Sequence, residues 1–193
     1  MSTRQKTPGA PWLYDETTGD IVGLKDQDGS ELLIMRIPYI GSFYDKGDQS
    51  ADANTATAMT CDTTAISKGI TVVDQTKFKV GRKASYNIQF SAQFFNPEAT
   101  AYRVSVWPKV NLNDVPDSCT DITVPAKHGS DSGAVVASWN FFLDLEANDY
   151  VQLMWSTPID TITIEHTDAR TNPVRPAIPS LIVTVNEVDG SYP

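Results

Sequence analysis

"ASYNIQFSAQFF", residues Ala84 to Phe95, decides the fold. Tyr86, Ile88, Phe90, Ala92 and Phe94 take every second position, and Asn87, Gln89, Ser91, Gln93 and Phe95 take the others. Side chains of an extended strand project alternately to opposite faces, so this period of two gives one apolar face and one polar face. A helix would need its apolar residues at spacings of three and four.

The same period recurs on both sides of that stretch. In "AYRVSVWPKV" (101–110), Tyr102, Val104 and Val106 alternate with Arg103, Ser105 and Trp107. In "AVVASWNFFLDL" (134–145), Val135, Ala137, Trp139, Phe141, Leu143 and Leu145 share a face. "DYVQLMWS" (149–156) and "SLIVTVNEV" (180–188) complete the strong strands, and weaker ones are expected at Met59–Thr63, Ile70–Val73, Phe78–Val80 and Thr161–Glu165. Turn pairs separate them at Asn96-Pro97, Asn113-Asp114, Gly129-Ser130 and Asn148-Asp149. Many short strands with such punctuation and almost no helical periodicity predict an all-β fold, a β-sandwich or jelly roll. "GDQSADANTATA" (47–58) reads as a long surface loop, and 169–179, with Pro173, Pro176 and Pro179, as an extended connection before the last strand.

The first 37 residues stand apart. "GAPWLYDETTGDIVGLKDQDGSELLIMRIPY" (9–39) carries Trp12, Leu13, Tyr14, Ile21, Val22 and Leu24 among aspartates and glycines. It has neither the polar composition of a loose tail nor the unbroken apolar run of a signal peptide. It reads as a hairpin, with "GDIVGL" as one strand, Asp28-Gly29 as the turn and "ELLIMRI" as the return. The expected organisation is an N-terminal arm, residues 1–37, and one β domain, residues 38–193. An arm this short cannot bury its apolar residues against each other, so they are expected to need either the domain or a partner.

Composition narrows the partners. The 193 residues are 40% hydrophobic, enough for a core, and no apolar run approaches a membrane span. A net charge of -9 argues against nucleic acid, whose phosphates need a basic surface. Cys61 and Cys119, the only cysteines, have no metal-ligand spacing. Their positions leave a disulfide open, and two buried free thiols is the simpler expectation, as in a reducing compartment.

Outer strand faces normally carry charge. Asn87, Gln89, Ser91 and Gln93 do not, and neither do Tyr150, Gln152 and Met154 if Val151, Leu153 and Trp155 point inward. Charge depletion with Tyr and Met present is the composition of an interface centre. The expectation is therefore a homo-oligomer whose contact uses one sheet.

Five segments together resemble a module of tailed-phage virion proteins: 41–64 ("GSFYDKGDQSADANTATAMTCDTT"), 77–96 ("KFKVGRKASYNIQFSAQFFN"), 102–118 ("YRVSVWPKVNLNDVPDS"), 135–156 ("VVASWNFFLDLEANDYVQLMWS") and 175–188 ("RPAIPSLIVTVNEV"). Their order is similar to the TNF-like jelly roll, including the globular heads of complement-type collagenous proteins. The resemblance covers Gly41 to Val188. It departs from the family pattern where Ala84 and Ser85 precede Tyr86 and where Asn148 replaces a glycine. It implies a ten-stranded sandwich that packs as a trimer, with Asn87, Gln89, Tyr150, Gln152 and Met154 towards the axis. "DETTGDIVGLKDQDGSE" (15–31) is similar to short attachment modules that precede such domains.

Catalytic and metal patterns are weak. His128 and His166 lie near no nucleophile-elbow pattern. Glu165 and His166 would point to opposite faces of a strand, which spoils a metal site with Asp168. Asp26, Asp28 and Glu31 are too few for a calcium loop and are explained by a hairpin turn. No P-loop or dinucleotide fingerprint is present. The expectation is thus a structural virion protein without enzymatic activity, cofactor, metal or membrane partner, made in the host cytoplasm. It would be a trimeric decoration or cement protein on the capsid exterior, bound to the major capsid protein through the arm. The alternative is the tip of a tail fibre or spike that binds a host receptor or glycan.

Overall fold

The computed structural model describes residues 3–4, 12–15, 21–25, 31–34 and 37–189. The chain divides into two compact units, Met1–Pro38 and Tyr39–Pro193. Among the described residues there are strands and no helix.

The first unit is a four-stranded antiparallel meander of β1 (Thr3–Arg4), β2 (Trp12–Asp15), β3 (Ile21–Lys25) and β4 (Glu31–Ile34), in that order. The expected pairing of "GDIVGL" with "ELLIMRI" is present as β3 against β4, and β2 extends it through Trp12↔Leu24 and Leu13↔Gly23. It is a small sheet rather than a single hairpin. The turn at Asp28-Gly29 lies outside the described residues.

The second unit begins with β5 (Ile40–Asp45), β6 (Gln49–Ser50), β7 (Thr57–Ala58), β8 (Thr63–Lys68), β9 (Ile70–Val73) and β10 (Lys77–Val80). Then come β11 (Ala84–Asn96), β12 (Tyr102–Val110), β13 (Asn113–Asp114), β14 (Thr120–Val124), β15 (Gly133–Leu145) and β16 (Tyr150–Ser156). It ends with β17 (Thr163–Ile164), β18 (Arg170–Thr171), β19 (Val174–Arg175) and β20 (Leu181–Asp189). One seven-stranded sheet runs β6-β17-β11-β20-β5-β8, with β15 paired to β11. The other runs β13-β12-β16-β10-β9, with β14 on β12 and β7 on β16.

Both sheets contribute to one hydrophobic core, as in a β-sandwich. Tyr86, Ile88, Phe90, Ala92 and Phe94 of β11 meet Val104, Val106, Val151, Leu153 and Trp155 of the facing sheet. Phe94 and Trp155 touch edge to face at 5.5 Å. Each such side chain taken from water contributes roughly 1.5–3 kcal/mol.

Several local features depart from the sequence pattern. Met59 to Asp62 is not a strand; the strand starts at Thr63. Residues 47–58 are not all loop, because β6 and β7 fall within them and Ala51 is buried. The connection 169–179 folds into the β18–β19 hairpin instead of staying extended. Asn113-Asp114 is strand, and the turn before it is Asn111-Leu112, both at positive φ (49° and 71°). Two successive positive φ values make the mirror-image turn whose twist suits a hairpin. Asp74 and Gln75 (50° and 60°) do the same between β9 and β10. At the β15–β16 turn Asn148 adopts φ 75°, which its side chain tolerates better than most. Cys61 is buried, but Cys119 is exposed and both are free, which corrects the expectation of two buried thiols.

The chain enters the second unit through a clamp. The Tyr39 N–H donates to Glu187 Oε2 (2.7 Å), and the Glu187 N–H donates back to the Tyr39 carbonyl (2.9 Å). The Arg82 guanidinium pairs with the Glu187 carboxylate and lies 3.9 Å over the Tyr39 ring. A Cβ on Gly69 (φ 73°) would stand 2.2 Å from that ring, so both the turn and the space require glycine there.

Candidate functional site

The outer face of the β15-β11-β20-β5-β8 sheet is the molecule's distinctive surface. Registers fix its rows: Phe142, Asn87, Asn186, Ile40 and Lys68 lie side by side, then Asn140, Gln89, Thr184, Ser42 and Ile66. The next row is Ser138, Ser91, Ile182 and Tyr44, and the last is Val136 and Gln93. Its charged residues stand at the margins: Lys68 at one corner, Asp144 at the other with Asp189 in the same row, and Lys46, whose ammonium lies 5.5 Å over the Tyr44 ring. Asp144 is held by a hydrogen bond from the Ser85 hydroxyl. Between them lie amides, hydroxyls and apolar groups, among which Phe142 is 65% exposed and Val136 54%. An uncharged surface of this breadth costs little to dehydrate against another protein.

The face also has relief. A groove of about 390 Å³ runs between Gln89 and Ser91 of β11, Ser138 and Asn140 of β15, and Ile182 and Thr184 of β20. Asn140 Nδ2 donates to Asn87 Oδ1 at 3.2 Å, fixing the amide at one end. Beside it, β15 is a 13-residue strand paired, among the described residues, with β11 alone. Long free edges are usually blunted by lysine, proline or a bulge. This one has none of these before Asp144.

The seven residues expected to form one contact do not share a sheet. Asn87, Gln89, Ser91 and Gln93 lie on the face just described. Tyr150, Gln152 and Met154 belong to β16, on the opposite sheet, and two of them are covered by the chain itself. Gln152 is 8% exposed and Met154 7%. Met154 is flanked in register by Trp107 of β12 and Ala58 of β7, and Gln152 Nε2 donates to Thr76 Oγ1 at 3.2 Å. Tyr150 lies beneath the Lys77 ammonium, 5.7 Å from its ring centre. Phe142, Val136 and Ile182, which the sequence reading passed over, fill out the exposed face.

In the first unit, Trp12 is 40% exposed and Leu24 half-buried, and the two are cross-strand partners on one face of the sheet. Leu13, on the other face, is 2% exposed, so its side chain is not free to meet a partner. The side chains of Tyr14, Ile21 and Val22 lie outside the described residues, as do Asp26, Asp28 and the side chain of Glu31.

Titratable chemistry is sparse. Burial, with Asp45 and Asp62 nearby, pushes the Cys61 thiol far above its usual range, so it stays protonated and inert. His166 Nδ1 is 3.9 Å from Asp168 Oδ1 at an exposed loop. No group of three or more His, Cys, Asp or Glu side chains is placed to hold a metal among the described residues. No helix there is long and apolar enough to cross a membrane. No family model matches the chain, and comparison with curated proteins returns no match.

Proposed function

We propose that this chain is a structural virion protein, a homotrimer that decorates the capsid exterior and binds the major capsid protein through its N-terminal unit. The observation that carries the reading is the uncharged outer face of the β11 sheet on a chain of net charge -9. Copies of so acidic a chain repel one another over most of their surface, and this face is where they meet without like charges opposed.

The strand order supports the TNF-like jelly roll. The chain alternates between sheets as it passes from β10 to β11, β12, β15 and β16 before β20 closes the first sheet between β5 and β11. The two sheets contain the runs β5-β20-β11-β15 and β10-β16-β12-β14, in which the last strand lies beside the first, as a jelly-roll wrap requires. Asn87, Gln89, Ser91 and Gln93 lie together on the outer face of the β11 sheet and form the proposed contact, whereas Gln152 and Met154 are buried on the other sheet and drop out of it. The separate sheet of residues 1–38, with Trp12 half-exposed, supports attachment by that unit, and three copies multiply a modest single contact through effective concentration.

The test combines mass and binding. Light scattering on the full chain should return three times the monomer mass. Sedimentation with undecorated capsids should carry the full chain down and leave the 39–193 fragment, still trimeric, in solution. A monomer mass removes the trimer, and a fragment that still binds capsids removes the docking role of the first unit.

A further inference from the structure

A second concave site lies on the other sheet, away from the uncharged face. It is an open cleft of about 810 Å³ beside Trp107 of β12. Ser105 of the same strand and Ser156 of β16, partners in register, form one flank, and Asp114 of β13 with Asp117 and Cys119 of the following loop form the other. Clefts of this size with an aromatic wall and a few convergent polar groups are the usual form of a ligand site.

The hydrogen-bond inventory selects the chemistry. The Trp107 indole N–H donates to Asp114 Oδ1 at 2.6 Å, which fixes the ring's orientation. The Ser105 hydroxyl donates to Asp121 Oδ1 and the Ser118 hydroxyl to the Val115 carbonyl, each at 2.7 Å. Three donors around the cleft are therefore committed within the chain. Of its carboxylates, Asp117 and the second oxygen of Asp114 are not. Asp117 is exposed and has no hydrogen bond or ion pair among the described residues, and Asp114 is touched by Lys109 at 3.5 Å on the oxygen that Trp107 already uses. The cleft thus offers an indole ring, carboxylate oxygens and one uncommitted hydroxyl, that of Ser156. An anion is repelled, and a neutral sugar needs donors as well as acceptors. A guanidinium supplies five N–H groups, accepts nothing, and stacks flat on an aromatic face.

We infer that this cleft binds a guanidinium group, the arginine side chain of a basic segment on a partner protein. Charge complementarity identifies the occupant, and the inference is independent of the trimer and of capsid attachment. The probe is Nα-acetyl-arginine methylamide, titrated into the full chain with indole N–H groups followed by nitrogen-15 NMR and the Trp107 signal assigned through Trp107→Phe. The Trp107 signal should shift saturably while those of Trp139 and Trp155 stay still. Acetyl-lysine methylamide should bind more weakly and methyl glucoside should leave the signal unmoved. Asp117→Asn, at an exposed position that leaves the fold intact, should weaken arginine binding about threefold or more. No saturable shift with the arginine probe, equal affinity in Asp117→Asn, or an equal response to the glucoside would each overturn the assignment.

Discussion

The outer faces of β11 and β16 look alike in sequence and differ in the fold. Both replace charge with amides and apolar groups: Asn87, Gln89, Ser91 and Gln93 on one, Tyr150, Gln152 and Met154 on the other. On β11 the strip continues across β15, β20 and β5 and stays at the surface, with Gln89 and Phe142 exposed. On β16 it is buried at Gln152 and Met154, flanked by β12 and β7 and tied to Thr76. The β16 face is covered by the chain's own segments, and the proposal of a trimer gives the β11 face another copy as its cover. Whether the cover is another copy or the chain's own neighbouring segments depends on pairing partners that the strand does not encode by itself.

The largest effect that separates the two faces is on stability. Met154→Ala should cost about 2–5 kcal/mol, the usual range for emptying a buried methionine site. Gln152→Ala should cost about 1–3 kcal/mol, because the nearly buried amide and its hydrogen bond to the Thr76 hydroxyl are lost. Both variants should melt several degrees lower in thermal scans while light scattering returns the parent mass. A Met154→Ala protein that melts like the parent but falls apart would place β16 in the interface after all.

How far the fold could be read follows from the same contrast. Period-two alternation marks β11, β12, β15, β16 and β20 because each has one face in the core. It says nothing about which strand pairs with which, so the β11 and β16 faces could not be assigned to separate sheets. The turn at Asn111-Leu112 was hidden because leucine is not a turn former, yet the following strand holds it at φ 71°. Phe142 did leave a signal. In "NFFLDL" the second phenylalanine breaks the alternation, placing an aromatic on the outward side of β15. The clamp of Tyr39, Arg82 and Glu187 joins residues as far as 148 apart in sequence, and no local pattern announces it.

A second comparison sets the two thiols against each other. Cys61 is buried with its ionisation suppressed, and Cys119 is exposed. In the folded protein a thiol reagent should modify one cysteine quickly and the other only on unfolding. The raised Cys61 ionisation also links stability to pH. The unfolded thiol ionises near its ordinary value of about 8.5 and the folded one well above it, so the folded state binds more protons in between. Its contribution is fully present below about pH 8.5 and declines above that by about 1.4 kcal/mol per pH unit, the two-state limit for one group. Chemical denaturation from pH 7 to 10 should show that slope in the parent and lose it in Cys61→Ala. An identical slope in both proteins would assign the alkaline loss to other groups.

The smallest effect on the fold is expected from the face that the trimer reading uses. Phe142 is 65% exposed and Gln89 is exposed, so Phe142→Ala and Gln89→Glu should each alter the stability of the isolated domain by less than about 0.5 kcal/mol. Assembly should respond in the opposite measure. Removing an exposed aromatic takes away a large contact at an interface centre, and aromatic anchors of this kind carry much of the binding energy. Gln89→Glu introduces one carboxylate per copy, and around a three-fold axis the three would converge in a desolvated contact. Both variants should therefore shift the mass towards monomer at dilutions where the parent remains assembled, Gln89→Glu more strongly at low salt than at high salt because screening weakens repulsion between the carboxylates. The contrast with Met154→Ala is the decisive part: one face loses fold stability and keeps its mass, and the other keeps its melting point and loses its mass. Should Phe142→Ala and Gln89→Glu melt and assemble like the parent, the uncharged face is not where copies meet, and its lack of charge would need another cover.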